Sequence, residues 1–344
     1  IGEMKFLRGY IYFELARLFG GVPIVLNEVN DPQEGFSHAR AELSEVYDQI
    51  EQDLSEAIEA LDPSYAGADV GRATSGAARA LLAKVYLTQG DNDQAVTQLE
   101  EVVTGDQYEL LPNYADVFAI DNTNNAEILF SVHYQGGGTG TGNPFTNLFA
   151  PKTAGEIITG IGQAVGQNVP EQGLLDAYEE GDLRFEATIN MGFTNAGGEF
   201  VEDPYTTKFL DPGMVNAFDA SNNWPVIRYS DVLLMYAEAL GESTEAYGYI
   251  NRVRERAGLA EIDQNTPGSF TDKLLQERRV ELAFEGHRWF DLVWLEQFVS
   301  VMNAEGTVPH TQGNTVEEFH RVFPVPQQEI DVNPNISQND GYTF

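Results

Sequence analysis

Four stretches carry apolar residues at helical spacing, and two of them repeat one pattern of small residues. A block rich in Gly, Asn and aromatics divides them. Together these predict a mostly α fold: a tetratricopeptide-repeat-like α–α superhelix with a loop-rich insertion containing a few short strands. Read as one domain over 1–344, the chain has helical hairpins at about 3–61, 74–104, 229–257 and 271–302, an insertion at 105–225 and an extended tail at 319–344.

In residues 3–19 the periodic positions are Phe6, Leu7, Tyr10, Phe13, Leu15 and Leu18. Gly20-Gly21 stops that helix and Pro23 follows, as helix C-terminal chemistry requires. Leu43, Val46, Ile50, Leu54, Ile58 and Leu61 form the stripe of its partner, which ends at Asp62-Pro63. Thr74 or Ser75 can cap the next helix, which runs to Gln89; Gly90-Asp91 turns the chain into a helix from about Asn92 to Val103. Leu82, Ala83, Tyr86, Ala95, Leu99 and Val102 fit the tetratricopeptide spacing. Small residues at 83 and 95 let the two helices approach, and the larger ones fill the seam. The spacing recurs at Leu233, Leu234, Gly241, Ala246, Ile250 and Val253. Residues 271–302 read as a last hairpin turning at Gly286, with Trp289 and Trp294 in its core.

Within the insertion, Glu127–Tyr134 reads as a short strand and GGGTGTGNP at 136–144 as a flexible loop. Residues 171–185 suggest one short helix with a charged turn, and 186–210 two short strands. A loop-rich segment of this length inside a helical scaffold points to function. Pro324, Pro326 and Pro334 make the tail extended.

Composition narrows the function classes. Lys+Arg is 19 against Asp+Glu 54, a formal net charge of −35. Nucleic acid is excluded as a partner because its binding rests on phosphate neutralisation, and an anionic membrane surface is disfavoured likewise. Lysine occurs only at positions 5, 84, 152, 208 and 273. Such an acid excess self-repels unless salt screens it, which suggests a salt-adapted, halophile-like surface. With 20 Phe and 15 Tyr in periodic segments, disorder is not the reading. The absence of Cys removes disulfides, thiol nucleophiles and thiolate metal sites. No apolar run reaches the roughly 18 residues of a spanning helix. The chain opens at Ile1 without a secretory leader, so it reads as a mature or truncated form whose targeting segment is absent.

No zinc-protease, nucleophile-elbow or P-loop motif occurs. Gly160, Gly162 and Gly166 miss the dinucleotide spacing, and Asp121, Thr123 and Asn125 begin a calcium loop that lacks its glycine. No catalytic residue, metal or cofactor is expected. With 54 acids, carboxylates close in sequence carry no information about acid–base catalysis. Arg279, Glu281, Glu285, Arg288 and Asp291 interleave with apolar residues and, with Arg228, Glu238, Arg252 and Arg254, read as structural ion pairs. Ligand sites combine apolar, often aromatic walls with a few placed polar groups. Tyr134, Phe145, Phe149, Tyr205, Phe218 and Trp224 supply the first, and Asn143, Asn147, Asn222 and Asn223 the second. Trp224, flanked by Asn222-Asn223, is the foremost candidate. The Gly-rich 136–142 also reads as a lid or a partner-facing surface.

KFLRGYIYFELARLFGGVPIV (5–25), RATSGAARALLAKVYL (72–87), LLDAYEEGDLRFEATI (174–189), PVIRYSDVLLMYAEAL (225–240), INRVRERAGL (250–259), QERRVELAFEGHRWFDLV (276–293) and FPVPQQEIDVNPNISQNDGY (323–342) resemble the SusD/RagB family, in order along the chain. The resemblance implies a tetratricopeptide scaffold whose loop-rich part carries the ligand site. It implies a lipoprotein, not an enzyme, on the outer face of the outer membrane, whose lipid anchor lies outside this chain. Its implied partners are an oligosaccharide or polysaccharide and a SusC-like TonB-dependent transporter that receives it. The alternative is a repeat scaffold that docks the transporter with no small-molecule ligand. The two differ in whether the insertion aromatics converge at an exposed cleft or are buried against the repeats.

Overall fold

The structure, a computed structural model, describes residues 1–304 and 315–343. Helices α1 (Gly2–Phe19) and α2 (Leu43–Ala60) pack through Phe6, Gly9, Phe13 and Ala16 on one side and Val46, Ile50, Leu54 and Ala57 on the other. Gly9 is where they close: a Cβ there would stand 3.0 Å from the Leu54 side chain. Glu42 and Glu45 form a capping box at the start of α2. Thr74 caps α3 (Ser75–Gln89) by accepting from the Ala77 N–H, and Gly90, at φ 78°, ends it in the left-handed conformation that glycine adopts without penalty. Asp91 caps α4 (Asn92–Val103). After the insertion, α5 (Tyr229–Leu240) packs on α4, then on α6 (Thr244–Arg256) and α7 (Phe270–Glu281). The insertion therefore leaves the helical stack at Val103 and returns beside the helix it left. The fold is the mostly α superhelix the sequence predicts.

The last hairpin departs from its expected form. After α7 the chain turns through Phe284 and Gly286, and its second arm is two helices, α8 (Arg288–Trp294) and α9 (Phe298–Ala304), broken at Glu296, whose φ is 55°. In the insertion, β1 (Ile128–Val132) pairs antiparallel with β4 (Trp224–Arg228), and β2 (Ile189–Thr194) with β3 (Phe200–Thr206). The strand β4 is absent from the sequence reading because Pro225 looks like a breaker and the segment runs straight into α5. The expected helix at 171–185 is instead two short ones, Gln172–Leu175 and Arg184–Thr188. The Gly-rich loop is pinned: the N–H groups of Gly137 and Gly138 donate to Asp219, and that of Gly136 to Ser221. Arg40 clamps the tail, donating to the Phe19, Gly21 and Ser337 carbonyls and to Asn339. The tail expectation runs to residue 344, which lies outside the described residues.

With a net charge of −35, screening should favour the compact state. Thermal unfolding in molar NaCl is expected to show a Tm higher by about 5 °C or more than in dilute buffer, equivalent to a kcal/mol or two. A flat or falling Tm would remove the salt-adapted reading.

Candidate functional site

A buried ionic cluster fixes the insertion to the scaffold. From the insertion come Glu127, Asp182, Arg184, Lys208 and, at the end of β4, Arg228; the scaffold supplies Arg254, Arg256, Glu277, Glu281 and Glu285. Arg228 donates to Glu127 at 2.9 Å, to Glu281 at 2.5 Å and to Glu285 at 2.7 Å. Arg184 joins Asp182, Glu277 and Glu281, and Arg256 bridges Glu127 and Glu281. Five buried cations (Arg184, Lys208, Arg228, Arg254, Arg256) thus face five buried anions, so the charges cancel. Burial pushes the Glu281 carboxyl up, but Arg256, Arg228 and Arg184 together hold it well below the usual range. Burial lowers the Lys208 ammonium to about 8 against the pull of Glu285.

Two residues assigned to ion pairs by sequence are placed otherwise. Arg252 is exposed and lies over the Tyr229 and Tyr249 rings; the interior arginines of that helix are Arg254 and Arg256, which fall on its inner face. Glu238 makes no ion pair within 4 Å among the described residues. It adjoins a second balanced cluster: Lys84 donates to Asp231 at 2.6 Å, and Arg278 pairs with Asp231 at 2.9 Å and Asp291 at 2.8 Å. Burial raises Glu238 to about 8, so it is largely protonated at neutral pH. Its contribution to stability is full below the ordinary value of 4.5 and is lost as pH rises through about 8. Glu238→Gln is therefore expected to flatten the Tm profile between pH 5 and 8 and to exceed the wild type at pH 8. Superimposable profiles from calorimetry would contradict this.

Beside the first cluster lies an aromatic one. Phe209 follows Lys208 directly and stacks on Trp224, with ring centres 5.1 Å apart and planes 13° apart. Phe145 lies 5.1 Å from Trp224, 5.8 Å from Tyr134 and 5.4 Å from Phe149. Phe209 is buried, whereas Tyr134, Phe145, Phe149 and Trp224 are half-buried. The structure thus brings together four of the aromatics named from the sequence and adds Phe209, which its neighbours Lys208 and Leu210 disguise as core. Tyr205 lies apart: it is buried in the β2–β3 hairpin and has no ring contact with the cluster among the described residues. Phe218 stands at a loop tip, 43 % exposed, with its N–H held by Asn147.

The asparagines engage loop backbone. Asn143 is fully buried, donating to the Asn222 carbonyl and accepting from the Phe145 N–H. Buried Asn222 donates to the Leu210 carbonyl, and Asn223 accepts from the Tyr134 N–H. These amides hold the loops that present the rings, because a short planar amide pairs with loop backbone as readily as with a hydroxyl.

Two clefts share the wall Trp224–Gly286–His287. The larger, about 400 Å³, is lined also by Asn168, Phe284, Trp289, Arg279 and Arg288. Trp289, read as core, is half-buried on this wall and stacks on Phe323; Trp294 lies beneath Arg278. Asn168 has φ of 54°, which asparagine adopts readily, whereas Phe284 has φ of 67°, a strained geometry for a bulky residue that its surroundings must hold. The ionic cluster does this for Phe284, since Arg228 donates to the Glu281 carbonyl and Lys208 to that of Ala283. The smaller cleft, about 210 Å³, lies between α1, α3, β4 and the Glu285–His287 turn. Burial, with Lys84 nearby, holds the His287 imidazole well below its usual range, so it is neutral.

Residues 128–342 match the SusD family, and residues 1–87 match a family described as starch-binding associating with outer membrane. A SusD-like protein of Formosa agariphila is 30% identical, over 99% of this chain and 73% of its own. The starch-binding protein SusD of Bacteroides thetaiotaomicron is 26% identical, over 99% of this chain and 72% of its own. Among solved structures, a laminarin binding SusD-like protein superposes with a TM-score of 0.84 at 34% identity, covering 99% of this chain and 78% of that one.

Proposed function

The chain belongs to the SusD family, and from that premise we propose that it captures an oligosaccharide at the Trp224 face and delivers it to a SusC-like TonB-dependent transporter. It acts there as a binding protein, not an enzyme, lipid-anchored on the extracellular face of the outer membrane in the full-length protein. The observation that carries this reading is the convergence of Tyr134, Phe145, Phe149 and Trp224, half-buried, beside two clefts. Aromatic walls accept the C–H faces of pyranose rings, and a few placed polar groups select hydroxyls. A docking scaffold without a ligand has no need to leave such a cluster half open beside clefts. The glycan-binding names of the relatives support the same reading.

The test is calorimetry and affinity gels with a panel of glycans, at low and molar salt. Laminarin and starch come first, because the similar proteins carry those ligands in their names. Saturable binding to one glycan class is expected. No binding by folded protein at either salt would favour the scaffold reading. Delivery is tested separately, by co-purification with the SusC-like transporter from the native outer membrane.

A further inference from the structure

Resting on the glycan-binding reading, the geometry points to the smaller cleft as a chain-end subsite: it seats one terminal, uncharged sugar ring, and the following units cross Gly286 into the larger cleft. Its size is the first reason. At about 210 Å³ it offers about half the space of its neighbour at about 400 Å³, so it is the smaller, terminal compartment of the pair. Its inner wall is closed, since Leu81, Lys84 and Ile227 are all buried.

Unused hydrogen-bonding capacity is the second reason. An ammonium has three donors, and Lys84, 4 % exposed, directs one of them to Asp231 and none elsewhere among the described residues. Tyr10 also lines the cleft, and its hydroxyl has no hydrogen-bond partner among the described residues. Burial pushes that phenol up to about 12, so it keeps its proton and can both donate and accept. The His287 ring, neutral, has Asp231 at 3.9 Å, beyond hydrogen-bond reach. Donors and acceptors of this kind, set among aromatic walls, suit the hydroxyls around one sugar ring. The charges that line the cleft cancel: Arg17 and Lys84 against Glu14 and Glu285. That favours a neutral sugar over a uronate.

The third reason is the ridge between the clefts. Gly286 is exposed, sits at φ 83° and presents no side chain, so the shared wall is low where a chain must cross it.

The experiment compares matched glucans with and without ends, by calorimetry on the purified chain. The pairs are laminarihexaose against a cyclic β-1,3-linked glucan, and maltohexaose against α-cyclodextrin. The linear member of the pair that binds is expected to bind at least about tenfold more tightly than the cyclic one, the scale of one or two hydrogen bonds. Tyr10→Phe, which leaves the fold intact, is expected to weaken the linear ligand severalfold and leave the cyclic one unchanged. Lys84→Met should do the same more strongly if it folds. Equal affinity for cyclic and linear probes, or a Tyr10→Phe variant that binds the linear probe like the wild type, overturns the chain-end subsite. Should Trp224→Ala still weaken binding of the probes in that case, the glycan reading stands and only the subsite falls. No binding by either pair overturns the subsite, and the glycan panel then decides the wider reading.

Discussion

Arg228→Met is expected to lower Tm by about 10 °C or to prevent folding. The substitution leaves Glu127, Glu281 and Glu285 in the interior with one cation fewer, and it frees the Glu281 carbonyl that helps to hold the strained turn. Removing one partner of a buried charge pair costs about 3–5 kcal/mol, because the partner stays desolvated and unpaired. In a chain of this size each kcal/mol moves Tm by roughly 2–4 °C at most. The reverse argument supplies a control. If the loss comes from an uncompensated carboxylate, adding Glu281→Gln to Arg228→Met should recover part of it, because one anion leaves with one cation. Thermal unfolding followed by circular dichroism measures both. A single variant as stable as the wild type would mean that the cluster does not hold the insertion in place.

Trp224→Ala is expected to raise the Kd for the bound glycan about 30-fold or more while the protein stays folded. Aromatic anchors at the centre of a recognition surface commonly contribute about 2 kcal/mol or more, which corresponds to that factor. Trp224 is half-buried and borders both clefts, so its loss strips the shared wall from each. Stability should fall less than for a core aromatic, although Phe209 loses its stacking partner. Tyr205→Phe makes the contrast, since Tyr205 lies outside the cluster, and its affinity should match the wild type. Asn143→Ala should lower Tm and affinity together, because Asn143 holds loop backbone and does not reach the surface. An unchanged Kd in Trp224→Ala would move the site elsewhere on the insertion.

The helices were legible because their signals are local. Leu82, Ala83, Ala95 and Leu99 mark a seam by spacing alone, and Thr74, Asp91 and Gly90 state where the helices start and stop. The strand β4 was not, since its pairing partner lies about a hundred residues earlier and Pro225 argues against a strand on local grounds. The two ionic clusters were half legible. Arg228, Glu281, Glu285 and Asp291 stand out because charges alternate with apolar neighbours. Their partners Glu127 and Arg184 are separated from Arg228 and Glu281 by 101 and 97 residues, and no periodicity connects them. At the site, composition pointed to Trp224, Phe145 and Tyr134, since aromatics in a polar loop block need a reason. It offers no way to separate an amide that meets a ligand from one that holds loop backbone, as Asn143 and Asn222 do.

The position of the charged anchors has a consequence for how this protein diversifies. Glu127, Asp182, Arg184, Lys208 and Arg228 are fixed points, and the stretches 133–181 and 209–227 between them carry all five clustered rings. The aromatic wall can therefore be rewritten by exchanging those two stretches, while the ion pairs beneath still seat them and Tyr10, Lys84 and His287 stay in place on the scaffold. Homologue-to-homologue loop grafts cut at these anchors should transplant specificity as a cassette, and cuts made between them should not.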